Sequence, residues 1–208
     1  MKTPLCLFVE VPVCAFRPYA SREYQDTHPV PPPSAVYGML LSLVGVSRRE
    51  KARHRGVAMA LAVESLPPRS RVFRKLRRGE KDLIPKFRPD YQDILIDLRL
   101  WVWLKPGRDD ASPDLPSRVA QALANPPSVT RWGGLSLGES TYLVDSVSIG
   151  KVPPAKLTFL RPDPRGFHHL TTWVDHADFS KSRSECFTLT PLDVSDALET
   201  CWFNLGVK

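Results

Sequence analysis

The sequence predicts an α+β fold: a ferredoxin-like split βαβ sheet with an inserted basic β-hairpin and an irregular β-rich C-terminal part. Three observations carry this. A strand-like run, a proline-led amphipathic helix and a second strand open the chain. A long alternating strand, a helix and another strand follow later, which is the order a split sheet needs. Between the two halves lies a short stretch that holds the whole net charge. From residue 69 to 88 nine Lys/Arg stand against Glu80 and Asp82, while the rest of the chain carries twenty basic and twenty acidic side chains, so the formal +7 is local. With 208 residues and 42% hydrophobic content the chain suits one domain. Its body is expected over 1–150, including a hairpin over 69–91, with 151–208 as an extension of the same domain.

Leu5 to Val11 has the β-branched and aromatic content of a strand that ends near Pro12 or lies at an edge there. From Cys14 to Pro33 nothing is periodic. Phe16, Arg17, Tyr19, Arg22, Tyr24 and His28 alternate aromatic and basic character, and a loop of that length is usually functional or disordered. Rings stack on unpaired bases and guanidinium groups take phosphates, so the mixture points to nucleic acid; the plain alternative is a surface loop with its rings tucked down.

The best-specified element is the helix from Ser34 to Gly45. Three prolines block its extension backwards, Ser34 is suited to cap it and Gly45 to stop it. Val36, Met39, Leu40, Leu43 and Val44 form its apolar stripe. Gly38, Ser42 and Gly45 leave backbone bare on another face, either for close packing on a strand or for a ligand's backbone. Arg48 to Gly56 is a basic patch, and Val57 to Leu66 a strand broken by Pro67 and Pro68.

Arg71 to Leu76 and Lys86 to Arg88 flank a turn-like Gly79-Glu80-Lys81-Asp82 and are expected to be the arms of the hairpin, too charged for core strands. In Ile94 to Leu104, Ile94, Ile96, Leu98, Leu100 and Val102 should face one way. Asp97, Arg99, Trp101 and Trp103 should face the other, with the tryptophans packed under a helix or forming a stacking platform. Leu115 to Ala124 reads as a helix stopped by Asn125-Pro126-Pro127. The glycine-rich turn Arg131 to Ser140 leads into a strand expected over Thr141 to Val147. It lacks the G-x-x-x-x-G-K-[ST] pattern and opens no helix, so it is not a nucleotide-binding loop. Short strands are expected at Leu157–Leu160, Phe167–Trp173, Cys186–Leu189 and Cys201–Leu205.

Cys6, Cys14, Cys186 and Cys201 show no C-x-x-C spacing and are expected to be buried thiols. His168, His169 and His176 have no matching carboxylate or cysteine spacing, so neither a metal nor a cofactor is expected. Leu5 to Val9 is too short for a signal sequence or a membrane span, which makes the cytoplasm the expected compartment and leaves no membrane partner.

The N-terminal strand, Ala15-Phe16-Arg17, the helix from Pro32 to Gly45, the basic hairpin after the second strand and Leu135-Ser136-Leu137-Gly138-Glu139-Ser140 together resemble the Cas-five family. This is the subunit of type I CRISPR Cascade complexes within the RAMP superfamily, and the resemblance covers roughly residues 1 to 150. It implies an RRM-like domain whose hairpin is a thumb falling on Arg71 to Arg88. That thumb would clasp the 5′ handle of the CRISPR RNA (crRNA), between the large subunit and the first backbone subunit, possible target DNA near the PAM being a further contact. The candidate RNA-binding residues are Arg17, Tyr19, Arg22 and Tyr24 in the loop, Ser34, Tyr37 and Gly38 on the helix, and Arg131 in the glycine-rich turn. On the hairpin they are Arg71, Phe73, Arg74, Lys75, Arg77, Arg78, Lys86 and Arg88. In type I-C the family member is itself a metal-independent endoribonuclease with a Tyr, Lys and His constellation. Its counterparts here would be Tyr24 or Tyr19, His28 or His54, and Lys51, but no motif fixes such a triad. The expected function is therefore a non-catalytic crRNA-binding subunit, with the Tyr24, His28 and Lys51 endoribonuclease as the alternative.

Overall fold

The computed structural model describes residues 3–18, 25–78, 86–131 and 133–207, with backbone alone for 75–78 and 86–89. The strands are β1 (Leu5–Cys14), β2 (Ala58–Val63), β3 (Arg69–Arg78), β4 (Lys86–Lys105), β5 (Ser146–Ile149), β6 (Lys156–Pro162), β7 (His168–Trp173), β8 (Arg183–Asp193) and β9 (Phe203–Asn204). The α-helices are α1 (Pro33–Leu43), α2 (Leu115–Ala124) and α3 (Val194–Thr200). One mixed α+β body results, built on a nine-stranded sheet in the order β5-β1-β4-β2-β6-β8-β7. Off that path β3 pairs with β4 and β9 with β2, and all of these named pairings are antiparallel.

Alternation along the strands sorts side chains to two faces. Leu7, Val9 and Val11 of β1, Met59, Leu61 and Val63 of β2, and Leu98, Leu100, Val102 and Leu104 of β4 meet Val36, Leu40, Leu115 and Val119 of α1 and α2 in the main core. The opposite face carries Phe8, Trp101, Trp103 and Phe159 beneath Ala197 of α3. Phe8 and Trp101 centroids are 4.7 Å apart and Trp103 and Phe159 5.3 Å, close aromatic pairs worth ~0.5–1.5 kcal/mol each beyond burial. Both tryptophans are thus core residues under a helix, at 2% and 3% exposure.

Several boundaries differ from expectation, each for a local reason. Ser34 does not cap α1: Pro32 occupies the cap position without a side-chain bond, and Pro33 starts the helix with its φ preset and no amide to satisfy. Gly45 does stop it, at φ +70, with its amide on the Ser42 carbonyl and that of Val46 on Leu41, a Schellman closure. β1 runs on through Pro12; beyond Glu10 its β5 edge is unpaired, where proline is tolerated. In β4 the expected single face breaks at Asp97, whose φ of +53 resets the alternation. Leu95 therefore joins Leu98 in the main core, while Ile94 and Ile96 turn to a small cluster with Ala15 and Tyr142.

The strand expected over Thr141–Val147 begins only at Ser146, because Tyr142 is held in a turn by its amide on the Glu139 carbonyl. Cys201 ends α3 instead of opening a strand. Of the cysteines, Cys14 and Cys201 are buried, whereas Cys6 and Cys186 are only partly so. Among the described residues no helix is long and apolar enough to cross a membrane.

Candidate nucleic-acid interface

The hairpin of β3 and β4 pairs from Arg69 opposite Leu95 to Arg78 opposite Lys86. Its root is an electrostatic knot. Asp93, 2% exposed, takes the Arg69 guanidinium at 3.3 Å and Arg71 Nε at 2.9 Å. Arg69 also reaches Asp26 at 2.9 Å and the Thr27 carbonyl at 2.8 Å, which ties the loop before α1 to the hairpin. Arg74 donates to the Tyr142 hydroxyl at 2.5 Å and Gln92 to Glu139 at 2.7 Å, which tie the glycine-rich turn to the same place. Arg71 and Arg74 thus hold the root together. Between these two arginines, Phe73 and Tyr91 face each other across the strands at 5.3 Å, 63% and 52% exposed, an open aromatic pair. For Lys75, Arg77, Arg78, Lys86 and Arg88 only the backbone is described, and Tyr19, Arg22 and Tyr24 lie outside the described residues.

A second feature is a groove of about 750 Å³ over the bare face of α1. Ser34, Gly38, Ser42 and Gly45 form its floor; Arg48 and Lys51 come from the 3-10 helical segment Arg48–His54, Arg131, Ser136 and Gly138 from the glycine-rich turn, and Val174 and His176 from beyond β7. No carboxylate is among the described residues that line it. A side chain at Gly38 would meet nothing within 4 Å, so the close packing considered for this glycine does not occur. Gly45 and Gly138 do pack closely: a Cβ would lie 2.5 Å from the Thr130 carbonyl oxygen at the first, and clash with that of Ala15 at the second. The first contact seats Thr130 against the end of α1 and the second seats the turn on the chain that follows β1.

The groove's lysine is unusual. Lys51 Nζ donates to the Val174 carbonyl at 2.8 Å and lies 4.7 Å from the Trp173 ring centre, and burial pushes its pKa down to about 8, with Asp175 opposing and Arg48 adding to the shift. His176 beside it is likewise lowered, by burial first and then by Lys51 and Arg48. Since the unfolded lysine holds its proton to about 10.5, the unfolded state binds more protons between about 8 and 10.5 and folding stability rises with pH there. The charge offered to an anion moves oppositely. If the groove holds RNA, affinity is expected to fall as pH rises through about 8, and Lys51→Gln to remove that fall and lower the salt slope by ~0.7; filter binding across this range checks both.

Other sequence candidates separate. Tyr37 is fully buried with its hydroxyl on the Lys51 carbonyl at 2.7 Å, so it is a core residue and offers no face to a base. His54 is also fully buried, 2.9 Å from Asp109, which removes it from the catalytic candidates. His28 is part-buried, its pKa lowered by burial first and then by His168 and His169 against Asp26, none of which is among the charges felt by Lys51. Arg17 and Arg131 are exposed, and Ser34, Gly38 and Arg131 meet in the groove. The sequence marks Arg48 and Lys51 as part of a basic patch, and Lys51 as a catalytic candidate; that they line a groove with His176, and that Tyr91 stands opposite Phe73, only the fold shows. Period-two register across the hairpin could have found Tyr91; nothing in sequence order brings the others together.

Comparison with known proteins agrees with this architecture. The family model for CRISPR-associated protein (Cas_Cas5) matches residues 5–115, from β1 through the hairpin to the start of α2. A CRISPR-associated protein Cas5 from Myxococcus xanthus (strain DK1622) is 38% identical over 190 residues, 87% of each chain. Two solved structures share the fold. A chain described as a CRISPR RNA-guided surveillance complex superposes with a TM-score of 0.63 at 15% identity, covering 93% of this chain and 92% of that one. A Cas protein crystal structure superposes at 0.51 and 18% identity, covering 92% and 95%. The family match over more than half of the sequence and the close relative over most of it place this chain in the CRISPR-associated Cas5 family.

Proposed function

We propose that this chain is the crRNA-binding subunit of a Cascade-type surveillance complex, holding the 5′ handle and joining the large subunit to the backbone. The observation that carries the reading is the groove: a cationic trough over bare helix backbone, with no carboxylate among the described residues that line it, next to a basic hairpin with an exposed aromatic pair. Single-stranded RNA needs that combination of charge along its backbone and flat surfaces for its bases. The order β5-β1-β4-β2 with α1 and α2 as crossovers supports reading residues 1–150 as the ferredoxin-like split sheet. The β3–β4 hairpin is then its thumb, and 151–208 an extension that continues the sheet through β6. Binding is favoured over cleavage because His54 is sequestered and Lys51 is turned to a backbone carbonyl.

Gly38→Leu tests the groove. The site has room for a Cβ and leucine is the better helix former by up to ~1 kcal/mol, so the variant is expected to melt no lower than wild type. The leucine would stand in the groove, so retention of RNA through size-exclusion chromatography should fall at least tenfold. A variant that melts higher and keeps its RNA would remove the groove from the binding surface.

A further inference from the structure

Beside the groove lies a second depression of about 320 Å³, between the C-terminal end of α1 and the flank of α2. Its walls include Val44, Gly45, Arg118, Gln121, Ser128 and Thr130. Gly45 and Thr130 border both depressions, so their close contact is a saddle between them. A volume of about 300 Å³ is at the small end of ligand pockets, enough for one nucleotide's base but not for a folded element.

The chemistry on the two sides of the saddle differs. The groove offers Arg48, Lys51 and Arg131. Among the described residues that line it, the smaller dish has one cation, Arg118, and it is already engaged: Nη2 donates to the Val44 carbonyl at 2.9 Å and Nη1 lies 3.2 Å from His54 Nε2, with Asp109 behind that ring. The negative end of the α1 dipole also opens here, which disfavours an anion. What remains is neutral and hydrogen-bonding. The Gln121 amide both donates and accepts, the Ser128 hydroxyl donates to the Asn125 carbonyl and keeps lone pairs free to accept, and the pinned guanidinium presents a plane for stacking.

Resting on the RNA-binding reading above, we infer that the dish between α1 and α2 takes one splayed nucleobase of the RNA whose phosphates run along the groove, the strand crossing the Gly45–Thr130 saddle. The groove supplies charge and the dish reads a base edge.

The test uses the purified full chain and a single-stranded RNA of the CRISPR repeat, intact and with one abasic residue at each position in turn. One position is expected to cost about tenfold in affinity when abasic, the usual effect of losing one held base. Gln121→Ala and Ser128→Trp, both at exposed positions, should weaken the intact RNA about as much and abolish the penalty at that one position, with the slope of affinity against salt unchanged. A penalty that survives both variants, an even response along the strand, or a slope that flattens in the variants would each overturn the dish as a base site while leaving the groove reading intact. Failure of the wild-type chain to bind the RNA at all would overturn the functional reading and the dish with it.

Discussion

Asp109→Ala is expected to destabilise the chain by about 2–6 kcal/mol, a large effect for a substitution outside the apolar core. The carboxylate is fully buried and satisfied from three directions. His54 Nδ1 lies 2.9 Å from Oδ2, the Leu115 amide donates to the same oxygen at 2.9 Å, and the Ala111 amide donates to Oδ1 at 3.1 Å. Arg118 can only donate, so His54 Nε2 accepts from it and Nδ1 carries the hydrogen toward Asp109. Alanine would strand the ring hydrogen and the Leu115 amide in the interior, each orphan costing ~1–3 kcal/mol. Asp109→Asn keeps the shape and one oxygen and should lose less. Urea unfolding decides it: a lower midpoint at unchanged slope is expected, and an unmoved midpoint would show that the network is dispensable.

That network also shows where sequence reading stops. The bounds of α2 follow from local signals, since Asp114 caps it through the Ser117 amide at 2.8 Å and Asn125 ends it where expected. The Trp101 and Trp103 face could be read from period-two alternation alone. Asp109, by contrast, looks like one of several loop carboxylates, and nothing nearby announces that His54, fifty-five positions earlier, lies against it. β4 fails in a different way: its alternation was legible on either side of Asp97, but a left-handed residue inside a strand exchanges the faces, and aspartate does not signal this as glycine would. α3 went unrecognised because seven residues are too few for a helical period to stand out from strands on either side.

The site divides along the same line. Gly38 and Ser42 were legible as a bare face because they lie on one helix. The cations that make this face a groove come from residues 48–51, 131 and 176, and only the tertiary fold assembles them. On the hairpin the sequence showed charge without showing its use: Arg71 and Arg74 look equivalent to Lys75 and Arg78, yet they are engaged with Asp93 and Tyr142 at the root. Within that charge surplus, Arg71 and Arg74 build the hairpin, and the proposed contacts to a polyanion fall on Lys75, Arg77 and Arg78 further along β3.

This division fixes the design of the second large-effect test. Reversing Lys75, Arg77 and Arg78 together to glutamate, and leaving Arg71 and Arg74 in place, is expected to weaken RNA binding without unfolding the hairpin. If about five phosphates are neutralised by the wild-type chain, its affinity for single-stranded RNA should fall with salt at a log–log slope of about −3.5. Loss of three contacts would bring that slope to about −1.4, at ~0.7 per phosphate. Repulsion from the new carboxylates should lower affinity further at low salt, where screening is weakest. Arg74→Glu serves as the contrast: it removes the bond to Tyr142 and places a carboxylate near Glu139, so it should lower the melting temperature, whereas the triple variant should not. Equal slopes for wild type and the triple variant would mean that the outer hairpin does not touch the RNA backbone, and the local surplus of +7 would then need another polyanion to explain it.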